Sequence, residues 1–480
     1  MKQYTKQYID GQWREGTGNR VMENYDPYTG KLLYSYKAAG LQDVDDAYEA
    51  AARAQKEWAA TMPAEKSEMM YKLADVLKAH KDDVYDVLTT ECGSVQMKAG
   101  VEFYGTIDHI RMAANFPNMM EGSIVTSNMP DKTNYIFKKA KGVIGVIAPW
   151  NFPFLLAMRS VAPAIATGNA VVLKPSAETP ASGFLIAELF EEAGFPKGLL
   201  NVICGPSSEI GDAFVQHPIP AHISFTGSTA VGRRIGKIAG EHLKDVSLEL
   251  GGNNMMAILP DADLVQAAKA ASFGAYCHQG QVCMALNRVI VHKDVYDEFI
   301  PILVNEVKKL KTGDPRDSEV FIGPLTNKTQ VLNVEKAIED TIKAGAVVAL
   351  EGHTEGLLVY PWVLTDVTND MPAARNETFG PVCCVIKADS EEEMIRLAND
   401  TNYGLSSCVF TKDLYHGIQF GRQIETGMFF INDQSIGEEA HIVFGGDKDS
   451  GVGRFNGQYI VDKFTTTQRI GVQEKDRIFF

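Results

Sequence analysis

The chain has 480 residues, 45% of them hydrophobic and 22% charged, with a formal net charge of −15. That length exceeds one ordinary core, so two major domains of a soluble globular protein are expected. The acidic balance, with no Lys/Arg-rich run to offset it, argues against a nucleic-acid-binding role, and any phosphate must then be held by local donors.

The N-terminal stretch Met1–Tyr8 lacks an apolar core long enough for a signal peptide, and no later stretch approaches a membrane span. Residues 41–91 read as helices, with Ala-rich, charge-spaced runs such as Val44–Arg53 and Met69–Leu77. The apolar run Gly142–Ala148 reads as a buried strand. Pro149 and Pro153 stiffen the loop behind it, which carries Trp150, Asn151 and Phe152. Loops at the ends of buried strands are where α/β proteins place their chemistry.

Beyond this point short Val/Ile-rich runs alternate with helical segments: Ala170–Leu173, then 182–193, then Leu200–Ile203, then 208–215. A strand at Ile223–Phe225 leads through Gly227 and Ser228 into a helical stretch, Thr229–Ala239, and backbone N–H groups at such a helix start suit a phosphate. A second alternation begins near 253, with helices at 263–275, 294–311 and 329–344. This is the βα rhythm of parallel sheets, an α/β fold with its chemistry in the cleft between two domains. Thr465–Ile470 has the β-branched enrichment of a further strand.

The chemistry concentrates on Cys283, in the segment His278–Met284, just over thirty residues after Glu249-Leu-Gly-Gly252. A thiolate adds to an aldehyde carbonyl, and the adduct can surrender its hydride to an oxidised nicotinamide and leave a thioester. Water must then attack, and a positioned carboxylate such as Glu249 lowers that barrier by taking a proton as the bond forms. The oxyanion needs fixed donors, for which the Cys283 N–H and the Asn151 amide are candidates.

Each residue alone has an ordinary alternative. A random cysteine is a small buried hydrophobe, the reading given to Cys92, Cys204, Cys383, Cys384 and Cys408. Asn151 alone would be turn chemistry, Glu249 a solvated carboxylate, Lys174 a surface lysine and Glu377 a charged loop residue. The two glycines after Glu249, however, are expected where backbone passes close to another group. Seven cysteines without a short-spaced CxxC pair point to free thiols in a reducing compartment, and the histidines form no metal-binding motif, so no metal is expected.

Seven landmarks then stand in one order: Pro149–Pro153, Lys174-Pro-Ser176, Phe225–Ser228, Glu249–Gly252, Gly280–Cys283, Asn376–Pro381 and Phe444–Gly446. Over nearly its whole length the chain resembles the aldehyde dehydrogenase superfamily. The resemblance implies that Cys283 is the nucleophile, Glu249 the base for deacylation and Asn151 the oxyanion donor. It implies cofactor contacts at Lys174, Ser176 and Ala177 on the adenosine side, at Gly227 and Ser228 beside the pyrophosphate, and at Trp150, Glu377 and Phe379 around the nicotinamide ribose and ring. No G-x-G-x-x-G turn is present, and the family binds its cofactor without one.

It further implies two Rossmann-like parallel-sheet domains, a cofactor-binding one from 1–121 and 142–252 and a catalytic one from 253–443. A small β arm from 122–141 and 464–480 would join subunits into a homodimer or homotetramer, in the cytoplasm. The phrases His278–Arg288, Met158–Pro163 and Asn432–His441 look most like the branch acting on benzaldehyde, vanillin and salicylaldehyde. Phe152, Met284 and Phe444 would supply an apolar slot for a planar ring, and Cys277 would line the entrance. Arg159 stands where many relatives carry an aromatic residue.

NAD-preferring relatives commonly read Lys-Pro-Ser-Glu, whose acid holds the ribose hydroxyls and repels a 2′-phosphate. Here Ala177 takes that place, with Glu178 next to it, so both NAD and NADP are expected to serve. The alternatives are an enzyme passing its thioester to coenzyme A, which needs no Glu249, one acting on aliphatic aldehydes, a cofactor-independent hydrolase or esterase pairing Cys283 with a histidine such as His278, and a non-catalytic binding protein on the same fold.

Overall fold

Two parallel sheets organise the computed structural model, which describes residues 1–479. The first has eight strands. Its five central members, taken across the sheet, are Leu200–Val202, Ala170–Lys174, Val143–Ile147, His222–Thr226 and Asp245–Glu249, all mutually parallel. Numbered along the chain, that order is 3-2-1-4-5, so the winding reverses between Val143–Ile147 and His222–Thr226. A crevice opens outside the carboxyl ends of strands at such a reversal. The loops leaving these two strands carry Trp150–Asn151 and Gly227–Ser228.

Ala170–Lys174 and His222–Thr226 are buried along their whole length, as strands covered on both faces must be. The crossovers of the central strands are the helix Pro153–Ala166, which follows the proline-flanked loop, and the expected helices Pro180–Ala193 and Thr229–Glu241. The segment 208–215 is less regular than a plain helix: a wide turn at Ser207–Gly211 precedes a short helix, Asp212–Gln216. Antiparallel strands close the edges. Gln7–Ile9 and Gln12–Arg14 lie on one side, and Gly451–Val452 lies on the other, pairing with Leu248 and Glu249.

The second sheet has seven strands, six of them parallel, in the order Trp362–Thr365, Val382–Ala388, Leu286–His292, Asn254–Ile258, Ser406–Phe410 and Met428–Ile431. Antiparallel Val347–Leu350 completes it. The helices Leu264–Tyr276, Lys293–Val307 and Lys328–Lys343 match the expected ones, the middle one ending earlier than its sequence pattern suggested. Cys383, Cys384 and Cys408 pack into this core as buried thiols, and Cys92 and Cys204 are buried elsewhere.

Three helices, Leu41–Ala60, Pro63–Ala79 and Lys81–Cys92, precede a fourth, Gln96–Ala113, that packs against Pro153–Ala166. A separate antiparallel sheet joins Ser123–Thr126, Lys132–Ala140 and Thr465–Gln473, with Thr465 opposite Ala140 and Gln473 opposite Lys132. No helix among the described residues is long and apolar enough to cross a membrane.

Candidate active site

The loop at Pro149–Phe152 is fixed from behind by charge. Pro153 opens the next helix, and the Phe154 and Leu155 N–H groups at its first turn both donate to Glu102 Oε2 at 3.0 Å. A carboxylate there satisfies orphan donors and meets the positive end of the helix dipole. Glu102 is itself paired with Lys98, both wholly buried, and the Lys98 ammonium lies 4.5 Å from the centroid of the Phe152 ring. The Asn151 amide donates to Gln281 O at 2.9 Å, which ties this loop to the segment bearing Cys283.

That second segment arrives by an unusual turn. His278, Gln279 and Gly280 all have positive φ, at 49°, 58° and 74°. For the two non-glycine residues this costs about 1–3 kcal/mol each. Side chains hold the turn down: Gln279 donates to Pro324 O at 2.8 Å and accepts from Gly323 N at 3.0 Å, while Gln281 accepts from Thr326 N at 3.0 Å. Beyond the turn, the Asn254 amide donates to Cys283 O, and the Ser435 hydroxyl donates to Met284 O.

Glu249 ends its strand facing the same place. The glycines after it permit two close approaches. A Cβ on Gly251 would fall 2.4 Å from Glu377 Oε2, and one on Gly252 would fall 2.3 Å from Cys283 O. Gly252 N donates to Glu377 Oε1 at 3.1 Å. The sequence expectation for this pair of glycines therefore has a direct structural counterpart.

Two cavities meet at Cys283. One, of about 600 Å³, is lined by Phe152, Leu155, Met284, Ile436 and Phe444, with Arg159, His109 and Glu438 on its wall. The other, of about 410 Å³, is lined by Trp150, Gly227, Ser228, Glu249, Glu377 and Phe379. Asn151 and Cys283 belong to both. Trp150 and Phe379 stand edge to face, with centroids 5.4 Å apart. Ser228 precedes the helix Thr229–Glu241 without capping it through its side chain, so first-turn N–H groups stay open to an anion.

The electrostatics distinguish the groups. Neither oxygen of Glu249 has a hydrogen-bond partner within the protein, and burial pushes its carboxyl up to about 7 against the pull of Arg159. Burial and the neighbouring Glu249 hold the Cys283 thiol well above its usual range, so the resting thiol is neutral. Burial raises Glu377 to about 8. A carboxyl poised near neutrality can take a proton from the neighbouring thiol or from water, which capture by the thiolate and activation of water each require.

Other expected residues are placed differently. Cys277 lines neither cavity. It is buried, with its thiol pushed up to about 12, because the left-handed turn at 278–280 reverses the chain between it and Cys283. The expectation that it lines the entrance is corrected. His278 also lies outside both cavities, with its imidazole buried and held neutral, so its pairing with Cys283 as a hydrolase has no geometric basis. Lys174, Ser176 and Ala177 lie beyond the 410 Å³ cleft, at the end of the adjoining strand, where Lys174 donates to Ser207 Oγ at 3.1 Å. Glu438 and His109 were not read from the sequence, since nothing in their spacing joins them to Glu249.

Comparison with known proteins agrees with this geometry. The family model described as "Aldehyde dehydrogenase family" matches residues 13–470. The chain is 48% identical over 472 residues to a vanillin dehydrogenase of Corynebacterium glutamicum, covering 98% of each chain. It is 45% identical over 479 residues to benzaldehyde dehydrogenase YfmT of Bacillus subtilis, covering 100% of this chain and 99% of that one. A crystal structure of an NAD-dependent benzaldehyde dehydrogenase from Corynebacterium glutamicum superposes with a TM-score of 0.91 at 45% identity, over 99% of this chain and 98% of the other.

Proposed function

The chain belongs to the aldehyde dehydrogenase family, and from that premise we propose that it oxidises aromatic aldehydes of the benzaldehyde, vanillin or salicylaldehyde type to their acids with NAD or NADP. The observation that carries this reading is the pair of cavities meeting at Cys283. One has apolar walls from Phe152, Leu155, Met284 and Phe444, sized for a planar ring. The other offers open helix N–H groups beside Ser228 and the Glu377 carboxyl, donors and acceptors that fit a dinucleotide. Bound NAD or NADP supplies the hydride acceptor.

Cys283 gives its thiol proton to water and its sulfur attacks the aldehyde carbon, while Asn151 and the Cys283 N–H receive the charge that develops on oxygen. In the resting site one Asn151 amide N–H is taken by Gln281 O, and the second N–H of that amide is left for the oxyanion. Once the thiohemiacetal has lost its hydride, Glu249 takes a proton from water as the water attacks the thioester, and the acid leaves with the Cys283 thiol restored. Glu377 orients the ribose, and Trp150 and Phe379 shield the reacting face from solvent. Residues 1–121 and 142–252 hold the cofactor and 253–443 carry the nucleophile. The arm of 122–141 and 464–480, whose described residues form the sheet Ser123–Thr126, Lys132–Ala140 and Thr465–Gln473 and whose residue 480 lies outside the described residues, joins subunits into a dimer or tetramer. Ile124, Phe137 and Ile470, exposed on that sheet, support this last assignment. A reducing, cytoplasmic setting fits the seven free thiols.

A panel of aldehydes assayed by the absorbance of reduced nicotinamide, with both cofactors, tests the substrate class. Benzaldehyde and its hydroxylated derivatives are expected to give the highest kcat/KM and the free acid as product. Higher efficiency with short aliphatic aldehydes, or an acyl-coenzyme A product, overturns it.

A companion prediction concerns Ala177. Ala177→Glu places a carboxylate where the adenosine ribose is expected, able to bond both hydroxyls of NAD but facing the dianionic phosphate of NADP. Like charges so placed cost several kcal/mol, so NADP efficiency should fall steeply while NAD is unchanged or improved. The wild type should use both cofactors within a modest ratio. Steady-state kinetics decide it: a wild type blind to NADP, or a variant whose ratio does not move, removes Ala177 from the ribose site.

A further inference from the structure

Four ionisable side chains form a buried line behind the reacting centre. Arg159 Nη2 stands 3.7 Å from Glu249 Oε2, Arg159 Nη1 stands 3.3 Å from Glu438 Oε1, and that oxygen stands 3.3 Å from His109 Nε2. The guanidinium is only 1% exposed. Phe444 and Phe455 hold it, with ring centroids 4.6 and 4.7 Å from Cζ, and Nη2 also donates to Thr226 Oγ1 at 3.2 Å. A buried guanidinium needs a partner, and Glu438, itself held down to about 2 by Arg159 and His109, is the closer of its two carboxylates. Because arginine does not release a proton near neutral pH, the line is no proton wire. It is a fixed charge clamped against the base.

We infer that Arg159 is a positioning residue that keeps Glu249 in its charged, proton-accepting form, and that Glu438 weakens this hold by partly neutralising Arg159. The inference rests on the reading of Glu249 as the deacylation base. Every group that faces Glu249 takes part in the balance. Arg159, from the helix Pro153–Ala166, favours the carboxylate. Against it stand burial and Glu438 from the segment after Met428–Ile431, while Glu377, after the short helix Pro372–Arg375, is held up to about 8 by burial and by Glu249 and so is largely neutral as Glu249 titrates. The adjacent Cys283 thiol also favours the carboxylate, and His109, on the helix Gln96–Ala113, acts only through Glu438. Without Arg159, burial and Glu438 leave Glu249 protonated at neutral pH, and a protonated carboxyl cannot take a proton from water.

The two carboxylate-facing charges have opposite signs, so their removal should move the pH profile in opposite directions, which a general loss of structure would not do. The deacylation rate, read from acyl-enzyme decay after a burst of reduced nicotinamide, is measured across pH on the full-length enzyme with saturating cofactor and benzaldehyde. Arg159→Met should keep the burst and move the acidic limb of deacylation upward by about one to three pH units. Arg159→Lys should restore much of that movement, and Glu438→Gln should move the limb downward. A wild-type limb in an Arg159→Met enzyme that still bursts, or movement of the Met and Gln variants in the same direction, overturns the inference. Should Arg159→Met fail to fold, an unmoved limb in Glu438→Gln overturns it alone. Glu249→Gln separates the two readings: if it deacylates normally with the limb intact, the assignment of the base has failed, whereas loss of the limb there with unmoved Arg159 and Glu438 variants defeats only the positioning role.

Discussion

Replacing Cys283 by alanine is expected to lower aldehyde oxidation by several orders of magnitude while cofactor affinity stays within a few-fold of wild type. The covalent step resides in the sulfur, and loss of a covalent nucleophile typically has effects of that size. The cofactor cleft keeps its other walls, Gly227, Ser228, Glu377 and Phe379, and the Cys283 backbone remains pinned by Asn254 and Ser435. No second thiol stands ready to substitute, since Cys277 is buried away from both cavities. Rate measurements beside a cofactor-binding titration test this, and substantial residual turnover would mean that a group other than Cys283 carries the reaction.

Glu249→Gln should keep a burst of about one reduced nicotinamide per site and slow steady turnover by roughly 10²–10⁴-fold. The amide preserves shape and loses the base. In the wild type, the proton-accepting form is present above the carboxyl's value of about 7 and is lost as pH falls through it, so deacylation should decline on the acid side of neutrality. Glutamine at 249 should flatten that decline. The neutral resting thiol of Cys283 gives a burst measurement particular force. Disappearance of the burst along with turnover would assign Glu249 to removing the thiol proton, a step earlier than deacylation.

Much of this architecture is legible locally. Ala170–Lys174 and His222–Thr226 are buried on both faces, and the helices of 41–92 carry a continuous amphipathic pattern, so composition and period suffice for them. The edge strand Gly451–Val452 carries no such signal, because it exists through pairing with Leu248 and Glu249, distant in sequence, and Gln12–Arg14, in a hairpin with Gln7–Ile9, is too short to show a period. The same reason separates the two layers of the site. Cys283, Glu249 and Asn151 lie in motifs whose neighbours are constrained by close backbone approach, as at Gly252, and so leave a mark on the sequence. Arg159, Glu438 and His109 come from two helices and a loop, and only packing joins them. Cys277 misled for a related reason: proximity in sequence says nothing of direction once three residues in succession adopt left-handed backbone.

The pairing of Gly451–Val452 with Leu248–Glu249 bears on how the enzyme is made. A chain synthesised from its N-terminus can wind the five parallel strands of the first sheet early, as domains generally do. The outer edge of the Glu249 strand nevertheless stays open until residue 452 has emerged, after the whole second sheet has been translated. An open strand edge is a template for wrong pairing, with a neighbouring nascent chain as readily as with its own. Glu249 therefore sits at the last seam of the first sheet to close, and ribosome-bound chains arrested before residue 451 should expose that strand to proteolysis and to self-association, whereas chains arrested well past it should not.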